Sequence, residues 1–121
     1  MNTTTIGNFG ETAACEYLKA KGYKIINRNY KCKIAEIDII AYDNNGVLCF
    51  CEVKARKNSN YGYAYEAVNR DKMLQMQKGA MSYIKTHNVK CEMRFDVIEV
   101  YGDYVQGAFR VETINHFEDA F

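Results

Sequence analysis

The chain opens with a helical pattern. From about Thr5 to Lys21, Ile6, Phe9, Ala13, Tyr17 and Ala20 recur at helical spacing, after the capping oxygens of Asn2-Thr3-Thr4-Thr5 and before a stop at Gly22. Gly7 and Gly10 are poor helix residues, and their presence predicts a close approach to another backbone or to a ligand. Tyr23 to Lys33 alternates imperfectly and predicts a first strand near a sheet edge, where lysines discourage strand addition. Ile34 to Arg56 then predicts two strands around a turn at Asn44-Asn45-Gly46. Glu66 to about Thr86 predicts a second long helix, its stripe formed by Ala67, Val68, Met73, Met76, Ala80, Met81, Tyr83 and Ile84 and its stop at Asn88. Arg94 to Tyr101 alternates cleanly as a strand, Gly102-Asp103 marks a turn, and Tyr104 to Glu112 returns as a shorter strand. Asn115 to Phe121 reads as a tail that is either flexible or packed on a partner.

Helix, three strands, helix, two strands is the order of an α/β sandwich with a mixed sheet. The long helix crossing over after the third strand lets the fourth pair in parallel, in the usual right-handed sense. A chain of 121 residues, 48% hydrophobic and without low-complexity runs, makes one domain spanning 1–121, with 113–121 as the candidate tail.

The central hairpin carries a contradiction. Ile37, Ile39, Ile40 and Ala41 before the turn, and Val47 to Cys51 with Val53 after it, describe strands apolar on both faces, as in the interior of a covered sheet. Yet Asp38 lies within the first strand, and Glu52 and Lys54 lie at the end of the second. Burying such groups is costly unless they are paired, hydrogen-bonded or bound to a metal. Glu52 and Lys54, two apart, project to one face, and hairpin pairing brings Asp38 within a few residues of Glu52. Two carboxylates of this kind suit magnesium (or manganese), and the lysine suits orienting a water or neutralising charge on a phosphate.

Charge and cysteine content narrow the classes. Sixteen basic and fifteen acidic residues leave a net charge of +1, which is no general polyanion magnet. Local charge is more suggestive. Lys24, Arg28, Lys31 and Lys33 form a basic strand surface, and Arg56 and Lys57 open a loop carrying Tyr61, Tyr63 and Tyr65, which either meets unstacked bases or covers the core. Five cysteines at scattered spacings, with only His87 and His116 to join them, predict reduced thiols in a cytoplasmic protein rather than a zinc site. No apolar run approaches a membrane span and no signal peptide is expected. Glu36 ranks below Asp38 as a site acid, Asp43 reads as a turn acid, and Asp96 reads as an ion-pair partner of Arg94 or a nearby lysine.

Asp38 followed by Glu52-Val53-Lys54 resembles the D…(D/E)-x-K signature of the restriction-endonuclease-like nuclease superfamily. Around it, Gly7-Asn8-Phe9-Gly10-Glu11, Arg28-Asn29-Tyr30, Glu36 to Ala41, Glu52 to Arg56, Tyr61-Gly62, Glu66-Ala67-Val68, Lys72 and Arg94 to Ile98 resemble the YraN-like family, over about residues 6 to 101. Ala35 stands where that family usually has Gly, and Ala64 where it often has Pro. The resemblance implies a restriction-endonuclease-like three-layer sandwich, with a central mixed sheet of about five strands flanked by helices. It also implies similarity to archaeal Holliday-junction resolvases, hence Glu11 as a further acid of the metal site and, by analogy, a homodimer. The resulting expectation is a magnesium- or manganese-dependent endonuclease acting on nucleic acid, DNA ahead of RNA, with branched DNA as one candidate. Asp38, Glu52 and Glu11 would be metal ligands, Lys54 the water-orienting residue, and Arg28, Lys33, Arg56, Lys57 and Lys72 nucleic-acid contacts. The alternative is a non-catalytic nucleic-acid-binding or protein-interaction module on the same fold.

Overall fold

The computed structural model describes residues 3–57 and 69–121, with side chains in the first helix described from residue 7 onward. The elements are α1 (Thr3–Ala20), β1 (Lys24–Lys31), β2 (Glu36–Tyr42), β3 (Leu48–Arg56), α2 (Arg70–His87), β4 (Met93–Val105) and β5 (Ala108–Phe117). They build one open sheet in the order β1-β2-β3-β4-β5. All neighbours are antiparallel except β3 and β4, which run parallel across the α2 crossover.

The two helices cover opposite faces of this sheet, giving three layers. Ala14, Cys15 and Leu18 of α1 pack on Ile39, Ala41, Cys49, Cys51, Ile98 and Val100. Met76, Ala80 and Tyr83 of α2 pack on Ile37, Ile40, Leu48, Phe50 and Phe95. β2 and β3 lie between both cores, which explains their nearly unbroken apolar text. All five cysteines are free thiols. Among the described residues, no helix is long and apolar enough to cross a membrane.

The ends of α1 and α2 follow their capping residues. Gly22, at φ 94°, closes α1 with Gly22 N–H on the Lys19 carbonyl and Tyr23 N–H on the Leu18 carbonyl. The Asn44 amide then donates to the Lys21 carbonyl at 2.9 Å, tying the helix end to the β2–β3 turn. At α2, Asn69 accepts from Lys72 N–H, and Asn88 ends the helix in the left-handed region at φ 52°.

Several sequence expectations are corrected. The buried stripe of α1 runs through Gly10, Ala14, Cys15 and Leu18, while Phe9 and Ala20 are exposed. Glycine and cysteine carry part of the contact surface there, so the large apolar residues do not mark the buried face. Met81 is 64% exposed and leaves the α2 stripe. Gly102-Asp103 is no turn: β4 continues to Val105, and the turn is Gln106-Gly107, both at positive φ. Gly102 instead sits at a register irregularity, where a Cβ would collide with the Arg110 carbonyl. Asn115 to Phe117 belong to β5, after which Ala120 N–H donates to the Phe95 carbonyl and Phe121 stacks on Phe95 at 5.1 Å. The tyrosine loop (Tyr61, Tyr63, Tyr65), Gly62, Ala64 and Glu66-Ala67-Val68 lie outside the described residues.

Of the two glycines expected to mark close approach, Gly10 does so: a Cβ there would collide with the Cβ of Ala55 on β3. Gly7 has nothing near it. Gly10→Ala should therefore destabilise the protein by about 1–3 kcal/mol through overpacking, although alanine is the better helix former. Urea denaturation should show Ala55→Gly, added to the same chain, recovering most of that loss. Unchanged stability in Gly10→Ala would show that α1 does not rest on β3 at this point.

Candidate active site at the parting of β2 and β3

The ladder between β2 and β3 stops at the Ile39–Cys51 pair. The next pair would be Asp38 with Glu52, but the Asp38 carboxylate takes the Val53 backbone N–H instead, at 2.8 Å. A side-chain oxygen thus substitutes for the carbonyl of a strand, and β2 turns away while keeping its pairing to β1 as far as Glu36. The side-chain alternation records this bend. Ile37 joins Ile40 in the core under α2, although strict alternation from Ile39 would send it to the α1 side.

Glu52 is 3% exposed beside that opening. Lys54, two residues along the same strand, places Nζ 3.7 Å from Glu52 Oε1, and Lys72 in the first turn of α2 places Nζ 3.3 Å from Oε2. The Lys72 contact lacks hydrogen-bond alignment, so Oε2 is a buried acceptor with no hydrogen-bond partner. Burial first, and then the Asp38 carboxylate, pushes Glu52 up to about 8, against the partial relief of the two lysines.

Glu11 approaches from the α1 side, brought in by the Gly10–Ala55 contact one residue earlier. It is 8% exposed, and burial together with the Asp38 charge raises its pKa, with Arg28 and Asn29 opposing. Arg28 Nε lies 3.4 Å from Glu11 Oε1, while its Nη2 donates to Thr12 Oγ1 at 2.7 Å. Asn29, the next residue of β1, holds φ 56°, in the left-handed region where asparagine is the best tolerated non-glycine residue. Asp38, Glu52, Lys54 and Glu11 therefore lie around one opening in the sheet. Among the described residues, however, no three His, Cys, Asp or Glu side chains form a group able to hold an ion.

The basic residues distribute unevenly. Arg28 and Lys72 contact the acids directly. Arg56 ends β3 with its Nε buried and without a hydrogen-bond partner, Lys57 pairs with Asp103 at 3.8 Å, and Lys33 is exposed in the β1–β2 connection. Glu36 is exposed opposite Lys31 at the far end of β2. Asp96 is a structural acid, as expected from its spacing to Arg94. Arg94 Nε contacts it at 3.0 Å, His116 Nε2 at 2.7 Å and Asp119 N–H at 3.0 Å, and these bonds hold its pKa below the ordinary carboxylate value despite burial.

One buried acid escaped the sequence reading. Glu99 is 1% exposed, pairs in register with Lys54, and accepts from Tyr101 Oη at 2.9 Å and Asn115 Nδ2 at 3.0 Å. Its signal was available: an acid inside the apolar run Val97-Ile98-Glu99-Val100 is the same anomaly as Asp38 in β2.

The raised pKa of Glu52 makes a stability statement. Between its ordinary value of 4.5 and about 8, the folded protein holds a proton that the unfolded chain has released. Stability from this residue is therefore lost as pH rises through that window, by ~1.4 kcal/mol per unit of difference between the two states. In chelator-treated protein, Glu52→Gln should raise the melting temperature more at pH 9 than at pH 5. An equal effect at both pH values would mean that Glu52 is not buried as described.

Comparison with known proteins places this architecture in a family. The model of uncharacterised protein family UPF0102 matches residues 10–100. A UPF0102 protein of Caldanaerobacter subterraneus subsp. tengcongensis is 43% identical over 122 residues, covering 100% of this chain and 98% of that protein. A UPF0102 protein of Chlorobium limicola is 44% identical over 119 residues, covering 97% and 92%. One from Clostridium botulinum is 43% identical over 113 residues, covering 92% and 91%. With the matched region running from the α1 glycine that admits Glu11 through the strand that carries Glu99, the chain belongs to uncharacterised protein family UPF0102.

Proposed function

We propose that this protein is a magnesium- or manganese-dependent nuclease that hydrolyses phosphodiester bonds of nucleic acid, DNA ahead of RNA. The observation that carries the reading is the buried, hydrogen-bond-orphaned Oε2 of Glu52 beside the Asp38 carboxylate, with Lys54 on the same strand. Nothing in the packing of a three-layer sandwich requires an acid pair and a lysine at that point, and a buried carboxylate oxygen without a hydrogen bond, with only an unaligned ammonium beside it, is costly. Two carboxylates with room for water and phosphate are the donor set magnesium takes. Asp38 and Glu52 would hold the ion, with Glu11 as an outer acid whose charge Arg28 moderates.

A bound divalent ion would supply Lewis-acid stabilisation of the phosphate and a more acidic water. Lys54 would orient the attacking water and stabilise negative charge developing on the phosphoryl oxygens. Arg28, Lys33, Arg56, Lys57 and Lys72 would contact the nucleic-acid backbone, positioning it without reading sequence. Pairing of two copies in a homodimer, and a cytoplasmic location, belong to the same proposal.

A second reading rests on a specific observation: Glu11 and Glu52 already face basic side chains in the protein alone. That arrangement would also suit a module that binds nucleic acid without cutting it.

Cleavage of labelled four-way junctions, flaps, single strands and RNA with magnesium or manganese decides between the two. The wild-type protein should cut at least one substrate. Asp38→Asn, which retains an oxygen for Val53 N–H, should keep the fold and lose cutting by at least about 100-fold. Lys54→Ala should lose activity to a similar extent while calorimetric metal binding stays near wild type. Silence on every substrate with binding retained would favour the non-catalytic reading. Full activity of Lys54→Ala would remove the lysine from the reaction.

A further inference from the structure

Lys72 occupies a position that helix electrostatics disfavour. It lies in the first turn of α2, where the unpaired N–H groups form the positive end of the helix and acids are preferred. Its ammonium nevertheless reaches the sheet and stands 3.3 Å from Glu52 Oε2, with the side chain 29% exposed. The contact favours the ionised form of Glu52 without the alignment of a hydrogen bond, leaving Oε2 unsaturated. Arg28 is differently held, because its second bond to Thr12 anchors the guanidinium. Lys54 is also constrained, being fixed to the same strand as its acid. Lys72 arrives from another element on a flexible four-carbon stem, and Glu52 is its one ion-pair partner among the described residues.

We propose that Lys72 is an exchangeable counter-charge, which shields Glu52 when no cation is bound and turns to a substrate phosphate when a divalent cation occupies Asp38 and Glu52. This rests on the hydrolytic reading of the same site and adds a coupling to it. A cation at Glu52 repels the ammonium that stood there. The ammonium is partly exposed at the mouth of the opening, where a polyanion backbone would lie. Each ligand thereby lowers the cost of binding the other, so metal and nucleic acid bind with positive, reciprocal cooperativity. The protein's near-neutral net charge of +1 fits this arrangement, since basic side chains engaged by acids become available when the metal arrives.

The test uses Mn2+ calorimetry on the full chain, and binding of a fluorescently labelled 20-nucleotide oligonucleotide in Ca2+ across a salt series. Lys72→Gln should bind Mn2+ about fivefold more tightly than wild type. The same variant should bind the oligonucleotide several-fold more weakly, with its salt slope reduced by about one. Lys72→Arg, which keeps the charge, should follow wild type in both titrations and so separates charge exchange from packing. Unchanged or weaker Mn2+ binding by Lys72→Gln, or undiminished oligonucleotide binding, overturns the proposal. If wild type cuts nucleic acid while the Mn2+ affinity of Lys72→Gln is unmoved, the exchange is wrong and the hydrolytic reading stands. If Lys72→Gln tightens Mn2+ binding in a protein that cuts nothing, the exchange stands and hydrolysis does not.

Discussion

The hydrogen bond from Val53 N–H to the Asp38 carboxylate is the constraint on which the site depends. A strand pair normally satisfies its backbone donors with backbone carbonyls, and a buried donor left alone costs as much as a lost bond. By offering a side-chain oxygen, Asp38 lets β2 leave β3 without orphaning that donor. The opening then lies in the middle of the sheet rather than at an edge, with a helix on each side. Glu11 reaches it from one layer and Lys72 from the other, while β3 itself supplies Glu52 and Lys54. The split between the two central strands is braced by the pairing of β2 with β1 on one side and of β3 with β4 on the other.

The same placement sets the electrostatics. Burial in the opening, and after it the Asp38 carboxylate, raises the proton affinity of both Glu52 and Glu11. The protein moderates this with bases drawn from three elements: Arg28 of β1, Lys54 of β3 and Lys72 of α2. Its other acid cluster behaves in the opposite way. Asp96, wholly buried on β4, has hydrogen bonds from Arg94, His116 and Asp119 N–H and stays below the ordinary carboxylate range. Two buried acids on neighbouring strands thus have opposite protonation tendencies, one saturated with donors and one left with an oxygen to spare.

Several sequence signals translated directly because their physics is local. Period-two and period-3.6 text separated strands from helices, and asparagine and glycine marked the turn near Asn44 and the helix ends at Gly22 and Asn88. Asp38 and Glu52 stood out because acids are rare in doubly buried strands. Errors arose where one residue type serves two geometries. Gly102 has the composition of a turn and is a close backbone approach within β4. Phe9 and Met81 stand at helical spacing with the apolar stripes yet lie exposed, while Gly10 and Cys15 belong to the buried stripe. Glu99 breaks an apolar strand as plainly as Asp38 does.

The sequence by itself determined the order of elements, the doubly covered central strands and the acid–lysine set on them, since these follow from periodicity and from the cost of burying charge. Only the tertiary structure decided which acids share the opening, that Lys72 rather than a surface lysine faces Glu52, and that Asp96 belongs to a separate structural network. Those outcomes depend on strand register, on the helix-to-sheet approach at Gly10, and on the bend that Asp38 introduces. Each is a contact between residues far apart in the chain, for which local pattern carries no signal.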